Sequence, residues 1–332
     1  MALLPETSSP TLAPPARAVR TAGVLGLGTA IPDHAVHNGE IAARLGLEPG
    51  WITHRTGIDA RRRLRDGERV TDLAVLAAER ALEDAGLTGA DVDLVLAATT
   101  TQDELLPGMA PLVGAAIGAA GVGAMDVGAA CAGFIKALVT GAAMIEAGRA
   151  RTVLVVGADG LSRFTDPDDK RTAALFGDGA GAVVLSCAAA GAIGPAALGA
   201  DGGAAECIVI GREDALIRMD GHETFKRAVR HLAEVTEAAV ADAGLALADV
   251  DLFVYHQANR RILQSLAHRL RLDPDRVVDA IGQLGNTSAA SVPLALEQAR
   301  AAGDLRPGSR VLLAAIGAGL AWGAVVVEWG GA

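Results

Sequence analysis

The sequence predicts an α/β fold made of two halves that share one plan. Three observations carry that prediction. Strand-like apolar runs alternate with Ala-rich helical segments, which points to helices layered on a mostly parallel sheet. Residues 81–94 (ALEDAGLTGADVDL) return as residues 239–252 (AVADAGLALADVDL), ten of fourteen positions being identical at an offset of 158. The same offset sets residues 152–156 (TVLVV) opposite 310–314 (RVLLA), a second strand in register. Chance likeness between Ala-rich helices does not keep register across two separate strands, so duplication is the better reading.

Each copy reads as a helix end, a Gly C-cap, an Asp-containing loop and a buried strand. The first strand ends near residues 99–101, its counterpart at Tyr255-His256-Gln257-Ala258-Asn259. Strand ends of this kind are where α/β sheets place ligands. Further along the first half, Asp126-Val-Gly-Ala-Ala-Cys131-Ala-Gly-Phe134 holds one cysteine among small residues. Ile135, Leu138, Val139 and Met144 then recur at helical spacing, which puts Cys131 at or near a helix N-terminus. Free N–H groups and the helix dipole there favour a thiolate and lower the thiol pKa. The flanking Ala and Gly leave a substrate room to reach the sulfur, and covalent chemistry is expected. The offset places Cys131 opposite Ala289, just after Asn286. Packing of the halves about a pseudo-twofold axis would bring Cys131, His256 and Asn286 toward one cleft.

Composition narrows the function classes. With 332 residues the chain holds one large domain or two fused halves with ample core. Hydrophobic residues make up 51% and aromatics only 3%, so the core must pack by close approach of small residues. No apolar run approaches the ~20 residues of a membrane helix. Residues 1–20 are Pro/Ala/Ser-rich and read as a disordered lead-in without a signal-peptide core, followed by halves at 21–187 and 188–332. Cys131, Cys187 and Cys207 form neither a disulfide framework nor a metal-ligand spacing, and a reducing cytoplasm is the simplest inference. Cys187 reads as a small apolar filler, Asp178 as a turn organiser, and Cys207 has no evident role. The net charge of −10 argues against nucleic acid as a partner. Arg61, Arg62, Arg63 and Arg65 form one basic cluster and Arg260, Arg261, Arg269 and Arg271 another. Singly each is best read as solvated surface; together they suggest an anionic partner.

Several motifs resemble one family over about residues 22–329. Cys131 in DVGAACAGF, His256 in HQANRRI, Asn286 in GNTSAASVP and the closing GAGLAWG are similar to those of 3-oxoacyl-[acyl-carrier-protein] synthase III. GLGTAIPDHAVHN, WITHRTGIDARRR, LFGDGAGAVVL and MDGHETFKRAV extend the resemblance. It implies a thiolase-like fold, a duplicated αβαβα five-layer architecture with two pseudo-twofold-related halves. It also implies an acyltransferase that initiates fatty acid synthesis. Cys131 would attack an acyl-CoA, and the acyl-enzyme would condense with malonyl-ACP or malonyl-CoA with loss of carbon dioxide. His256 and Asn286 would stabilise the enolate, and the N–H groups of Cys131 and Ala318 would form the oxyanion hole.

The resemblance extends to binding residues. Trp51 and Arg55 would hold the coenzyme A adenine. Gly221, His222 and Asn259 would line the pantetheine tunnel, with His222 standing where asparagine is expected. Arg261 would help dock the acyl carrier protein. Leu106 would reach across a homodimer interface into the partner's acyl pocket, leaving space for a bulky or branched acyl group. Residues 201–220 are shorter than expected for the family, and the apolar stretch 109–117 is an expected dimer contact. No metal or cofactor is implied beyond coenzyme A thioesters as substrates, and no membrane partner. Other readings are acyl transfer to an oxygen or nitrogen of a secondary metabolite, polyketide starter-unit synthesis, a Cys-His-Asn hydrolase and an inactive partner subunit.

Overall fold

The computed structural model describes residues 20–331, so all but the last residue of the expected lead-in lies outside it. Elements of the first half are β1 (Gly23–Ala30), β2 (Ala35–His37), α1 (Asn38–Leu45), α2 (Pro49–Thr56), β3 (Ala60–Arg62), α3 (Val70–Asp84) and β4 (Leu94–Ala98). They continue with α4 (Met109–Ala116), β5 (Gly123–Asp126), α5 (Gly133–Glu146), β6 (Thr152–Gly160) and β7 (Asp178–Ser186). The second half adds β8 (Ala192–Ala200), β9 (Ile208–Ile210), β10 (Ile217–Met219), α6 (Gly221–Asp242) and β11 (Leu252–Tyr255). It ends with α7 (Arg260–Leu270), α8 (Ser291–Ala302), β12 (Arg310–Gly317) and β13 (Ala321–Glu328).

Two sheets stack with helices between and outside them. The first has strand order β1-β7-β6-β4-β5 and the second β11-β12-β13-β8. Helices α5 and α8 each pack on strands of both sheets, α3 and α4 cover the outer face of the first, and α6 covers that of the second with α7 beside it. The result is αβαβα. Every residue of β4, β6 and β7 is buried, which is why these strands read as continuous Val/Ala/Leu/Gly runs rather than alternating ones. Small residues close the layers: Gly26 and Gly28 of β1 lie so near the α3 backbone that neither position has space for a Cβ.

Four strands of one sheet correspond in order to the four of the other. Read from β8, the second sheet runs β8-β13-β12-β11, and the partner expected beside β11 is reduced to one parallel bridge, Phe253 to Val277. Neither sheet is mostly parallel, contrary to the sequence-based expectation. β4 is parallel to β5 and β6, and β11 to β12, but β7 runs antiparallel to β6 and β1, and β13 to β12 and β8. A three-residue link (318–320) joins β12 to β13, too short for a parallel crossover.

Met109, Ala110 and Val113 of α4 are fully buried within their own chain against β4 and β5, while Pro111, Ala115 and Ala116 are exposed on its other side. The large exposed apolar residues near it are Leu105, Leu106 and Met125. A further expectation needs correction. The first basic cluster is also only partly surface. Arg61 is completely buried and donates to the Val36 and Ala174 carbonyls and to Asn38 Oδ1, and burial pushes its guanidinium down to about 10. Arg63 is half-buried and donates to the Ala173 carbonyl. These two arginines tie the paired strands β2 and β3 to residues 173–174.

Candidate active site

The chain runs from β5 through a short 3-10 turn, Ala130–Ala132, into α5, and Cys131 is the middle of that turn. Its pseudo-equivalent is the turn Ser288–Ala290, which leads into α8. Ala130 and Ser288 precede the paired positions, and both take left-handed backbone angles, φ 46° and 51°. Such strain in a non-glycine residue persists where the surroundings over-determine it. The two turns touch: Ser288 Oγ donates to Cys131 Sγ at 3.4 Å.

One pair of equivalent positions differs in a chemically useful way. Asp159, fully buried at the end of β6, accepts from the Ala289 N–H at 3.1 Å. Its other oxygen accepts from the Thr100 N–H and from the hydroxyls of Thr99, Thr100 and Thr101. At the matching end of β12 stands Gly317, where a Cβ would lie 2.6 Å from Cys131 N. A side chain therefore occupies the N–H of Ala289, whereas glycine leaves that of Cys131 clear.

Burial opposes the helix-end thiolate that the flanking sequence suggests. Burial pushes the Cys131 thiol up to about 11, against the smaller opposing pull of the Ser288 hydroxyl, and Asp159 adds to the rise. Desolvation of the charged form is the largest of these effects. His256 shows the converse: burial lowers its imidazole to about 4. Burial thus favours the neutral form of both the thiol and the imidazole.

His256 follows β11, and its Nδ1 lies 2.6 Å from Ser291 Oγ. Asn286 is pinned through its backbone between residues 175 and 177, its N–H donating to Leu175 and its carbonyl accepting from Gly177. Its Oδ1 accepts from the Ser288 N–H at 2.9 Å. That bond orients the amide so that Nδ2, which has no protein partner among the described residues, is left to donate. Cys131, His256, Asn286 and Ala318 all line one cavity of about 960 Å³.

The mouth of this cavity carries Trp51 and Arg55, the guanidinium 5.1 Å from the ring centroid. Asn259 also lines it, but its side chain caps α7 through the Arg261 N–H and donates to the Arg55 carbonyl. Gly221 lines the wall at the start of α6, whereas His222 is exposed and lines nothing there. Arg261 is exposed at the N-terminal end of α7. Leu106 is 86% exposed and does not line the cavity of its own chain; its neighbour Leu105 does. The Cys187 thiol packs against the core between the sheets, and Cys207 is buried under α6. Asp178 organises backbone, accepting from the N–H groups of Leu64 and Ser162.

Sequence reasoning missed Lys170, Arg171 and Arg212, which add cations to the cavity lining. The Lys-Arg pair inside the acidic run DPDDKR was the available signal. It also passed over Ser288, Ser291 and Asp159, whose types differ from their counterparts at the 158-residue offset.

Known proteins share this architecture and a large part of this sequence. Residues 125–202 match the family profile described as 3-oxoacyl-[acyl-carrier-protein (ACP)] synthase III, and residues 240–329 match its C-terminal profile. The chain is 47% identical over 312 residues to beta-ketoacyl-[acyl-carrier-protein] synthase III 2 of Streptomyces coelicolor, spanning 93% of this chain and 94% of that one. Against the enzyme of the same name from Rhodobacter capsulatus the identity is 44%, over 92% and 98% of the two chains. The crystal structure of 3-oxoacyl-[acyl-carrier-protein] synthase III from Aquifex aeolicus superposes with a TM-score of 0.90 at 39% identity, covering 93% of this chain and all of the other. The priming beta-ketosynthase of the R1128 polyketide pathway does so with a TM-score of 0.91 at 34% identity, over 96% and 100%. Two stacked halves around a cysteine, a histidine and an asparagine, and this degree of identity over nearly the whole chain, make the protein a thiolase-like condensing enzyme that belongs to the 3-oxoacyl-[acyl-carrier-protein] synthase III family.

Proposed function

We propose that the protein takes an acyl group from an acyl-CoA onto Cys131 and condenses it with malonyl-ACP, releasing carbon dioxide and a 3-oxoacyl product. The observation that carries this reading is the common cavity. The thiol, a neutral imidazole and a free carboxamide donor open on one space whose mouth bears an aromatic ring and several cations. In the first step the sulfur–carbonyl bond forms, the bond to coenzyme A breaks, and the thiol proton ends on the departing thiol. The Cys131 and Ala318 N–H groups stabilise the developing oxyanion. In the second step the malonyl carbon–carboxylate bond breaks and its electron pair becomes an enolate, which accepts from His256 and Asn286. The carbanion attacks the acyl carbonyl, and Cys131 leaves as thiolate and regains a proton from water. A neutral imidazole suits this step, because a charged one would also hold the carboxylate that must leave. The reaction as proposed uses no metal or other cofactor.

A hydrolytic triad fits less well. Hydrolysis by Cys, His and Asn needs a thiol bonded to the imidazole, whereas the Cys131 sulfur has Ser288 as its hydrogen-bond partner. Polyketide starter-unit synthesis is a second condensing reading, favoured by the likeness to the R1128 priming ketosynthase. Leu106, a small side chain at a position that by the family resemblance reaches into the partner's acyl pocket, favours a large or branched acyl donor.

A second copy of the chain completes the proposal. The exposed edge strand β5, with Met125, and the loop tip at Leu105 and Leu106, 83% and 86% exposed, form an apolar margin on the first sheet. Exposed strand edges and apolar patches of this kind are normally covered. Arg261 stands free for an acidic carrier protein.

Incubation with a panel of acyl-CoAs, followed by intact mass measurement, tests the first step. The expected result is one added acyl mass on Cys131, largest with a branched donor. Addition of malonyl-ACP should then release carbon dioxide and a 3-oxo product. No mass gain with any donor, or transfer only to an alcohol or amine, overturns the reading. Gly317→Ala is expected to slow acylation by at least about tenfold, since loss of one oxyanion donor typically costs about 10²–10³. A folded variant acylated at the normal rate would remove the Cys131 N–H from that role.

A further inference from the structure

We propose that Ser291 is a positioning residue that holds His256 as the Nε2-protonated neutral tautomer, aiming a hydrogen-bond donor at the substrate enolate. The inference rests on the condensing reading above for its chemical purpose, but its geometry stands alone.

The argument is a proton count around one hydroxyl. Ser291 Oγ lies 3.3 Å from the Gln257 N–H, which can only donate, and 2.6 Å from His256 Nδ1. The hydroxyl therefore accepts from Gln257 and has one proton to place. No acceptor other than Nδ1 lies within hydrogen-bond distance among the described residues. If Nδ1 carried its own proton, two protons would face each other or the serine proton would lack a partner. Both arrangements are costly in a pocket where Ser291 and His256 are 2% and 3% exposed. The imidazole proton consequently belongs on Nε2, which has no protein partner among the described residues in a side chain that lines the cavity.

The surroundings hold this arrangement rigidly. The Gln257 side chain donates to the Tyr255 and Val278 carbonyls and accepts from the Ala280 N–H, which fixes the segment whose N–H meets Ser291. The His256 N–H donates to the Ala314 carbonyl at 2.8 Å. Ser291 is the first residue of α8, whose capping position is held by Ala290, so its hydroxyl faces the imidazole and not the helix end.

Internal symmetry supplies a second, independent observation. At the 158-residue offset His256 and Ser291 correspond to Ala98 and Gly133. Those two also meet, a Cβ on Gly133 falling 3.0 Å from that of Ala98. One contact of the ancestral half is thus closed and apolar in the first copy. In the second it is a hydrogen-bonded serine and histidine, and that copy's imidazole reaches the cavity.

The test uses the full chain labelled with 15N-histidine. In the wild-type protein at neutral pH, the His256 nitrogens should report a protonated Nε2 and an unprotonated Nδ1; the opposite pattern overturns the proposal whatever the variants do. Ser291→Ala should give a mixed or reversed tautomer. Wrong-tautomer variants elsewhere lose up to about 10⁴ in rate, and here condensation should fall at least about tenfold while acyl-CoA still loads Cys131 within about threefold of the normal rate. Ser291→Thr, which keeps the hydroxyl, should restore both the tautomer and condensation. An alanine variant with the wild-type tautomer and normal condensation sinks the idea. A wild-type protein that never releases carbon dioxide from malonyl-ACP would instead refute the condensing reading, while the nitrogen signals would still decide the tautomer.

Discussion

Cys131→Ala is expected to abolish the acyl-enzyme and to lower condensation by at least about 10³-fold, since losing a covalent nucleophile can cost about 10⁶. The expected result is selective. Alanine removes the sulfur without filling the cavity, and the donors that face the malonyl group come from the other half: His256 after β11 and Asn286 in the loop before α8. Malonyl-ACP should still lose carbon dioxide slowly, giving acetyl-ACP with no 3-oxo product. Mass measurement of the protein and chromatography of the thioesters separate these outcomes. An acyl adduct on the variant would show that another residue is the nucleophile.

The reverse split is expected for His256→Ala. Cys131 should still take an acyl group, whereas condensation should fall about 10²–10³-fold, the usual loss for one donor to a developing oxyanion. Asn286→Ala should behave the same way through loss of the Nδ2 donor. The pH dependence follows from burial, which holds the imidazole down to about 4. Condensation should not lose rate to protonation of this group between pH 7 and about pH 5. Stability carries the matching signature. The folded value lies below the unfolded 6.5, so the contribution of neutral His256 is complete above pH 6.5 and is lost as pH falls toward 4. That difference corresponds to about 3 kcal/mol. Urea unfolding of the wild type and of His256→Gln at pH 7 and pH 4.5 would reveal it as a smaller acid loss in the variant.

Much of the site was legible because duplication is visible in the chain. Ten identities between residues 81–94 and 239–252 locate β4 and β11, and the same offset locates β6 and β12. Carrying Cys131 to Ala289 by that offset brought Asn286 beside it, and Ser288 Oγ indeed touches the sulfur. What escaped depends on burial, which composition does not encode. Arg61 reads as a surface cation beside three others, yet three oxygen acceptors in one pocket bury it completely. The Cys131 thiol was judged by its helix, whereas the walls brought by residues far along the chain set its proton affinity. The α4 stretch shows an apolar side by its periodicity, but not that β4 and β5 of its own chain cover Met109, Ala110 and Val113. Hydroxyls such as Ser288 and Ser291 resemble ordinary small polar residues until set against Ala130 and Gly133 of the first copy.

The bonds that assemble the reaction centre cross from one half to the other. Asp159 at the end of β6 grips Ala289, and Ser288 reaches back to the Cys131 sulfur. On the proposed mechanism neither repeat alone owns a working set of groups: the first carries the sulfur and the second the imidazole. Slippage between the repeats is therefore expected to stop the reaction before either repeat unravels.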